Sequence, residues 1–169
     1  FRQPEGTHRG ECPICCLPLP LHKDKYVINS RCCKFICKGC DYANKEREKE
    51  QGLEERCPYF REPLPATREE LVPNYMKRIK ANDPLVFCQM GNKCCSEGDF
   101  QGAFEYYTKA AELGDIDAHY NLSLLYATGE GVGRDEKKEV YHLEEAAIGG
   151  HPKARIYLGA HEGRNGRYK

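Results

Sequence analysis

Beyond Pro84, stretches with apolar residues at helical spacing alternate with short polar, Gly-bearing loops, and the pattern repeats. Ala110, Ala111, Gly114, Ala118 and Leu122 return 36 residues later as Ala146, Ala147, Gly150, Ala154 and Leu158. Five identities in register at one period mark a tandem unit. Each unit reads as two helices. In the unit 118–153 these are residues 118–127 and 136–148, joined by a loop over 128–135; the unit before it, 86–117, has the same layout with a loop four residues shorter, 96–99. A third unit, 154–169, is cut after its first helix, predicted over 152–162. Small alanines on one face let helices approach closely, and the Gly after each second helix permits the left-handed residue that ends it. Residues 84–169 are therefore predicted to form an all-α helical-hairpin solenoid.

The first half has a different pattern. Residues 1–10 are polar and bear Gly and Pro, as a loose tail does. Residues 11–65 hold Cys, Pro and short apolar pieces, with no periodicity long enough to bury a core, so this segment needs a staple. Within it, residues 41–53 carry alternating charges at helical spacing and predict a short exposed helix closed by Gly52. Residues 66–83 form a helical connector: Thr67 and Glu70 make a capping box, Pro73 removes a helix hydrogen bond and predicts a kinked or restarted helix over 74–80, and Asp83-Pro84 ends it.

Composition narrows the function classes. The 169 residues carry 26 basic and 26 acidic groups, 13 and 12 of them up to residue 70 and 13 and 14 after it. Neither half is a polycation, which argues against nucleic acid as a partner, and no apolar run approaches the ~18 residues of a membrane span. Eleven cysteines stand out. Eight fall between Cys12 and Cys57, their total is odd, and two pairs are spaced C-x2-C, which points to metal ligation in a reducing, intracellular compartment, cytoplasmic or nuclear, over a secreted disulfide framework. Residue 1 is Phe rather than Met, with no targeting segment after it, and the chain reads as a fragment.

The cysteines run Cys12-x2-Cys15, Cys32-Cys33, Cys37-x2-Cys40 and Cys57-Pro58-Tyr59-Phe60-Arg61. Two C-x2-C pairs 21 residues apart suit two metal knuckles that complete one tetrahedral S4 site, for which zinc is the expected ion. The segment resembles a RING finger of the all-cysteine kind, in which ligands one, two, five and six hold one zinc and three, four, seven and eight hold another. The resemblance implies a small α+β zinc-stapled module with Cys12, Cys15, Cys37 and Cys40 at the first site. The second site falls to Cys32, Cys33 and Cys57 and departs from the family: its eighth ligand place is Phe60, and its third is either Cys32 or, by spacing, Arg31, with Cys33 spare. His22 could lend a nitrogen but falls early, so a solvated loop histidine is the favoured reading. RING modules recruit a ubiquitin-conjugating enzyme through an apolar residue between the first two ligands, here Ile14, and a basic residue after the eighth place, here Arg61; Pro58 also fits the pattern.

The repeats resemble Sel-one-like repeats, relatives of tetratricopeptide repeats, through the Gly-rich interhelix loop and the Lys-Ala-Ala-x2-Gly ending at 109–114. That resemblance covers 84–169 and implies a solenoid that binds a protein or peptide. Gly129-Glu-Gly131-Val-Gly133 lacks the preceding strand of a phosphate loop and reads as a repeat loop. Cys16, Cys94 and Cys95 have no activating His or acid placed near them in sequence, and three serines, none in G-x-S-x-G, leave hydrolase chemistry without support. The combined expectation is a ubiquitin-ligase-type adaptor acting without a covalent intermediate; the alternative is a non-catalytic scaffold with a structural zinc module.

Overall fold

A computed structural model describes residues 8–20, 22–29, 31–32, 34–65 and 67–164, in two units, Phe1–Lys77 and Arg78–Lys169. In the first unit a 3-10 turn at Lys23–Lys25 leads into strand β1 (Tyr26–Ile28), which pairs antiparallel with β2 (Phe35–Cys37) in the register Tyr26↔Cys37, Val27↔Ile36, Ile28↔Phe35. Tyr26 and Ile36 occupy opposite faces of this ribbon and both are buried, with Cys12 and Leu19, in one cluster. Four buried side chains are too few to order a segment of this length.

Helix α1 (Lys38–Glu50) follows β2 directly and begins three residues before the predicted start, because the Cys37 sulfur accepts from the Cys40 N–H and caps it. It is not the fully exposed helix expected. Asn44 and Glu48, four residues apart on one face, are buried. Asn44 Nδ2 donates to the Arg56 carbonyl at 3.1 Å, and Glu48 Oε2 accepts from the Arg56 N–H at 3.1 Å. What reads in sequence as a solvated charge run thus grips the backbone of a loop, and that bond offsets part of the cost of burying the carboxylate.

Helix α2 (Arg68–Lys80) corrects the expected restart, since it runs through Pro73. Pro73 is the sixth residue of this helix, so its missing N–H costs one hydrogen bond, to the carbonyl of residue 69, near an end where several groups are unpaired already.

The second unit contains α3 (Pro84–Glu97), α4 (Phe100–Glu112), α5 (Ile116–Thr128), α6 (Glu136–Ile148) and α7 (Pro152–Arg164), each packed chiefly on its neighbours in sequence. The predicted 136–148 is α6 residue for residue. Ala103, Ala110, Ala118, Ala146 and Ala154 are fully buried at the seams. Helix approaches helix closely at Gly91 of α3, where a Cβ would stand 2.5 Å from the Tyr107 ring of α4. Aspartate caps recur: Asp83, Asp99, Asp115 and Asp135 accept from the first-turn N–H groups of α3, α4, α5 and α6. His151 stands one period after Asp115 and does the same for α7, its Nδ1 accepting from the Ala154 N–H. Asp115→Ala is expected to cost about 1 kcal/mol in chemical denaturation of the repeat unit, the usual value of one N-cap. Tyr107, Tyr120 and Tyr126 are core residues, whereas Tyr141 and Tyr157 are exposed. Among the described residues no helix is long and apolar enough to cross a membrane.

Candidate metal centre

Cys12 and Cys15 lie on a tight loop before the hairpin, Cys37 ends β2 and Cys40 sits in the first turn of α1. The chain brings their four sulfurs within 4.8 Å of one another. Four thiolates bound at ~2.3 Å around a tetrahedral centre stand about 3.8 Å apart. The Cys15 and Cys37 sulfurs are 3.8 Å apart. Burial alone would raise the Cys12 thiol, but the backbone groups of Cys15, Cys37 and Ile14 hydrogen-bond its sulfur and bring it down to about 7. Burial and the neighbouring sulfurs of Cys37, Cys15 and Cys12 push Cys40 far above the ordinary thiol range. Crowded sulfurs oppose negative charge on Cys40, a cost that a bound cation would offset. This donor set fits a thiophilic divalent ion, zinc above all.

The first loop has a twin. In one, Cys12 N donates to Leu17 O, Cys16 N to Cys12 O and Leu19 N to Gly10 O; in the other, Cys57 N donates to Glu62 O, Arg61 N to Cys57 O and Leu64 N to Glu55 O. Isolated bridges close both, Glu11↔Pro18 and Arg56↔Pro63, and the equivalent Cys16 and Arg61 both take positive φ, 58° and 62°. The signal was present in sequence as Cys12-Pro13-x4-Pro18-Leu19-Pro20 against Cys57-Pro58-x4-Pro63-Leu64-Pro65. Attention to ligand spacing alone misses it, because the prolines and not the sulfurs carry the match.

At the second loop the chemistry differs. Cys57 is buried and interacts with Cys32, which burial and the Cys57 sulfur push up to about 11. Among the described residues no third cysteine, histidine or carboxylate joins this pair; Cys33 lies outside them, and His22 stands apart. Asn29, buried and not anticipated, accepts at Oδ1 from the N–H groups of Arg31 and Cys32 at 3.0 and 3.3 Å, and the Arg31 guanidinium pairs with Glu62. Phe60 is half-exposed and packs edge-on against Tyr59. Of the residues expected to meet a partner, Ile14 and Arg61 present surface at the tips of the twin loops. Pro58 does not; it is buried.

The Sel1 repeat family model matches residues 87–115 and 116–151. The chain carries two Sel1 repeats. That match does not reach the cysteine-bearing segment. Over 72 residues the chain is 33% identical to DAP3-binding cell death enhancer 1 of Rattus norvegicus, a stretch equal to 43% of this chain and 14% of that protein. It therefore spans about a seventh of its curated relative. Two solved structures are similar: a protective antigen present in uropathogenic Escherichia coli strains displaying an SLR fold, with a TM-score of 0.50 and 24% identity over 73% of this chain and 25% of that one, and a Sel1 repeat protein from Oxalobacter formigenes, with a TM-score of 0.49 and 26% identity over 55% and 40%. In the second Sel1 repeat the Gly129–Gly133 loop is packing, not a phosphate cradle: Gly131, at φ 69°, sits against the backbone carbonyl of Phe100.

Proposed function

We propose that residues 11–65 form a RING-like module with one structural zinc on Cys12, Cys15, Cys37 and Cys40, which presents Ile14 and Arg61 to a ubiquitin-conjugating enzyme while the Sel1 repeats hold the protein to be modified. The observation that carries this reading is the pair of equivalent loops bracketing hairpin and helix. One contributes two sulfurs to the four-sulfur cluster and exposes Ile14; the other exposes Arg61 at the matching left-handed position. Such a module needs no nucleophile. It works by proximity, holding a thioester against a substrate lysine.

Autoubiquitination with a panel of conjugating enzymes tests the proposal. Ile14→Ala is expected to lower the rate roughly tenfold, since apolar anchors at interfaces commonly exceed 1 kcal/mol. Arg61→Ala is expected to slow transfer more than it weakens binding. Phe60→Cys, which restores a sulfur at the second loop, is expected to raise zinc content and rate together. If neither the wild-type chain nor Phe60→Cys discharges any conjugating enzyme, the ligase reading is wrong. The second reading, a non-catalytic scaffold, is favoured by the Asn29 bonds, which close the turn before Cys32, and by the Arg31–Glu62 pair, which ties that turn to the second loop without an ion. A protein partner captured equally by wild type and Ile14→Ala, without ubiquitin transfer, is its signature.

A further inference from the structure

We propose that the hairpin of the second Sel1 repeat is itself a metal site, in which His119 of α5 and His142 of α6 bind one divalent transition-metal ion through their Nδ1 atoms and Glu145 supplies a carboxylate. It lies outside the cysteine segment and rests on none of the reading given for it.

The two Nδ1 atoms stand 3.0 Å apart. Two imidazole nitrogens bound to one ion at ~2.0–2.1 Å stand about 3 Å apart when their bonds to it are near a right angle, so the rings need little movement to chelate. The backbone of Ala111, in the last turn of α4, lies beside His119 and favours a proton on its ring. Metal-binding histidines characteristically turn their second N–H to such a backbone group, which fixes the ring and leaves the other lone pair for the ion. Aromatic walls hold the rings. Tyr126 stacks on His142 at 5.6 Å and 9°, and Tyr141 meets His119 and His142 edge-on.

Glu145 is one turn after His142 on the same face of α6, exposed, and near enough to His119 to act against burial. Its carboxylate is not within ligand distance of the pair as the side chains stand, so it would join the ion only after turning toward it. Burial lowers the His119 pKa, and burial with His119 and Lys138 brings His142 down to about 4. Both rings are then neutral near pH 7, the form that ligates metal. Two imidazoles and one carboxylate suit zinc, copper(II) or nickel(II) over calcium or magnesium.

The test is a zinc titration of the full chain, labelled with 15N at histidine and already holding one equivalent of zinc. The ring signals of His119 and His142 are expected to move together and saturate at micromolar zinc, while those of His22 and His161 stay in place. His142→Phe, which keeps a ring against Tyr126, is expected to abolish the His119 shift, and Glu145→Gln to weaken binding about tenfold. Should His142→Phe lose helical signal, His119→Gln takes its place. No movement of the two signals at millimolar zinc, movement of every histidine alike, or a His119 shift that persists in a folded His142→Phe chain overturns the proposal. The readout is imidazole alone, so it stands whatever the cysteines or a ligase assay do.

Discussion

Replacing Cys37 by serine, or stripping metal with a chelator, is expected to unfold residues 11–65 and leave the Sel1 repeats helical. Cys37 serves twice: its sulfur belongs to the four-sulfur cluster, and it caps α1. The apolar cluster it borders is Cys12, Leu19, Tyr26 and Ile36, too little to hold the hairpin and both loops in place. A structural zinc supplies on the order of 10 kcal/mol of folding free energy, more than the whole stability of many small domains. The measurement is amide-exchange protection in β1, β2 and α1, read beside metal content by mass. Cys57→Ser is the control, expected to leave the zinc content at one and cost about 1–2 kcal/mol as a buried thiol. Equal damage from the two substitutions would mean that both ends of the module depend on metal.

In the repeats, Gly131→Ala is expected to cost about 3 kcal/mol or more and to lower the melting temperature of that unit by roughly 10 °C or more. Two effects add. Residue 131 has φ 69°, which alanine adopts only with strain, and a Cβ there would stand 2.2 Å from the Phe100 carbonyl oxygen, part of the backbone that opens α4. Neither the loop nor the helix start can yield without breaking the seam between consecutive repeats. Gly133→Ala, where a Cβ meets nothing within 4 Å, is expected to be nearly neutral. Thermal melts followed at a helical wavelength compare the two.

The repeats were legible in sequence because their determinants are local: apolar spacing, small residues at fixed offsets and the Gly-bearing loops specify α6 to the residue. The cysteine quartet was legible because C-x2-C spacing is a geometric statement about one loop. The rest depends on partners far along the chain. Glu48 reads as one more charge on a solvated face until the loop at Arg56 comes round to meet it. Pro73 reads as a break, though its place near the helix start limits the loss to one bond. His119 and His142 are ordinary polar helix positions until the α5–α6 register sets them ring to ring, and Asn29 becomes a loop anchor only through the turn it closes.

Helix α1 belongs to both ends of its module. Cys37 caps it, Cys40 lies in its first turn, and its middle grips Arg56, whose loop carries Arg61. A rigid rod shared in this way makes the two ends thermodynamically answerable to each other. On the proposed reading, an ion that steadies the thiol end would also steady the Arg61 loop, and by reciprocity a protein docked on that loop would tighten the grip on the ion by the same factor.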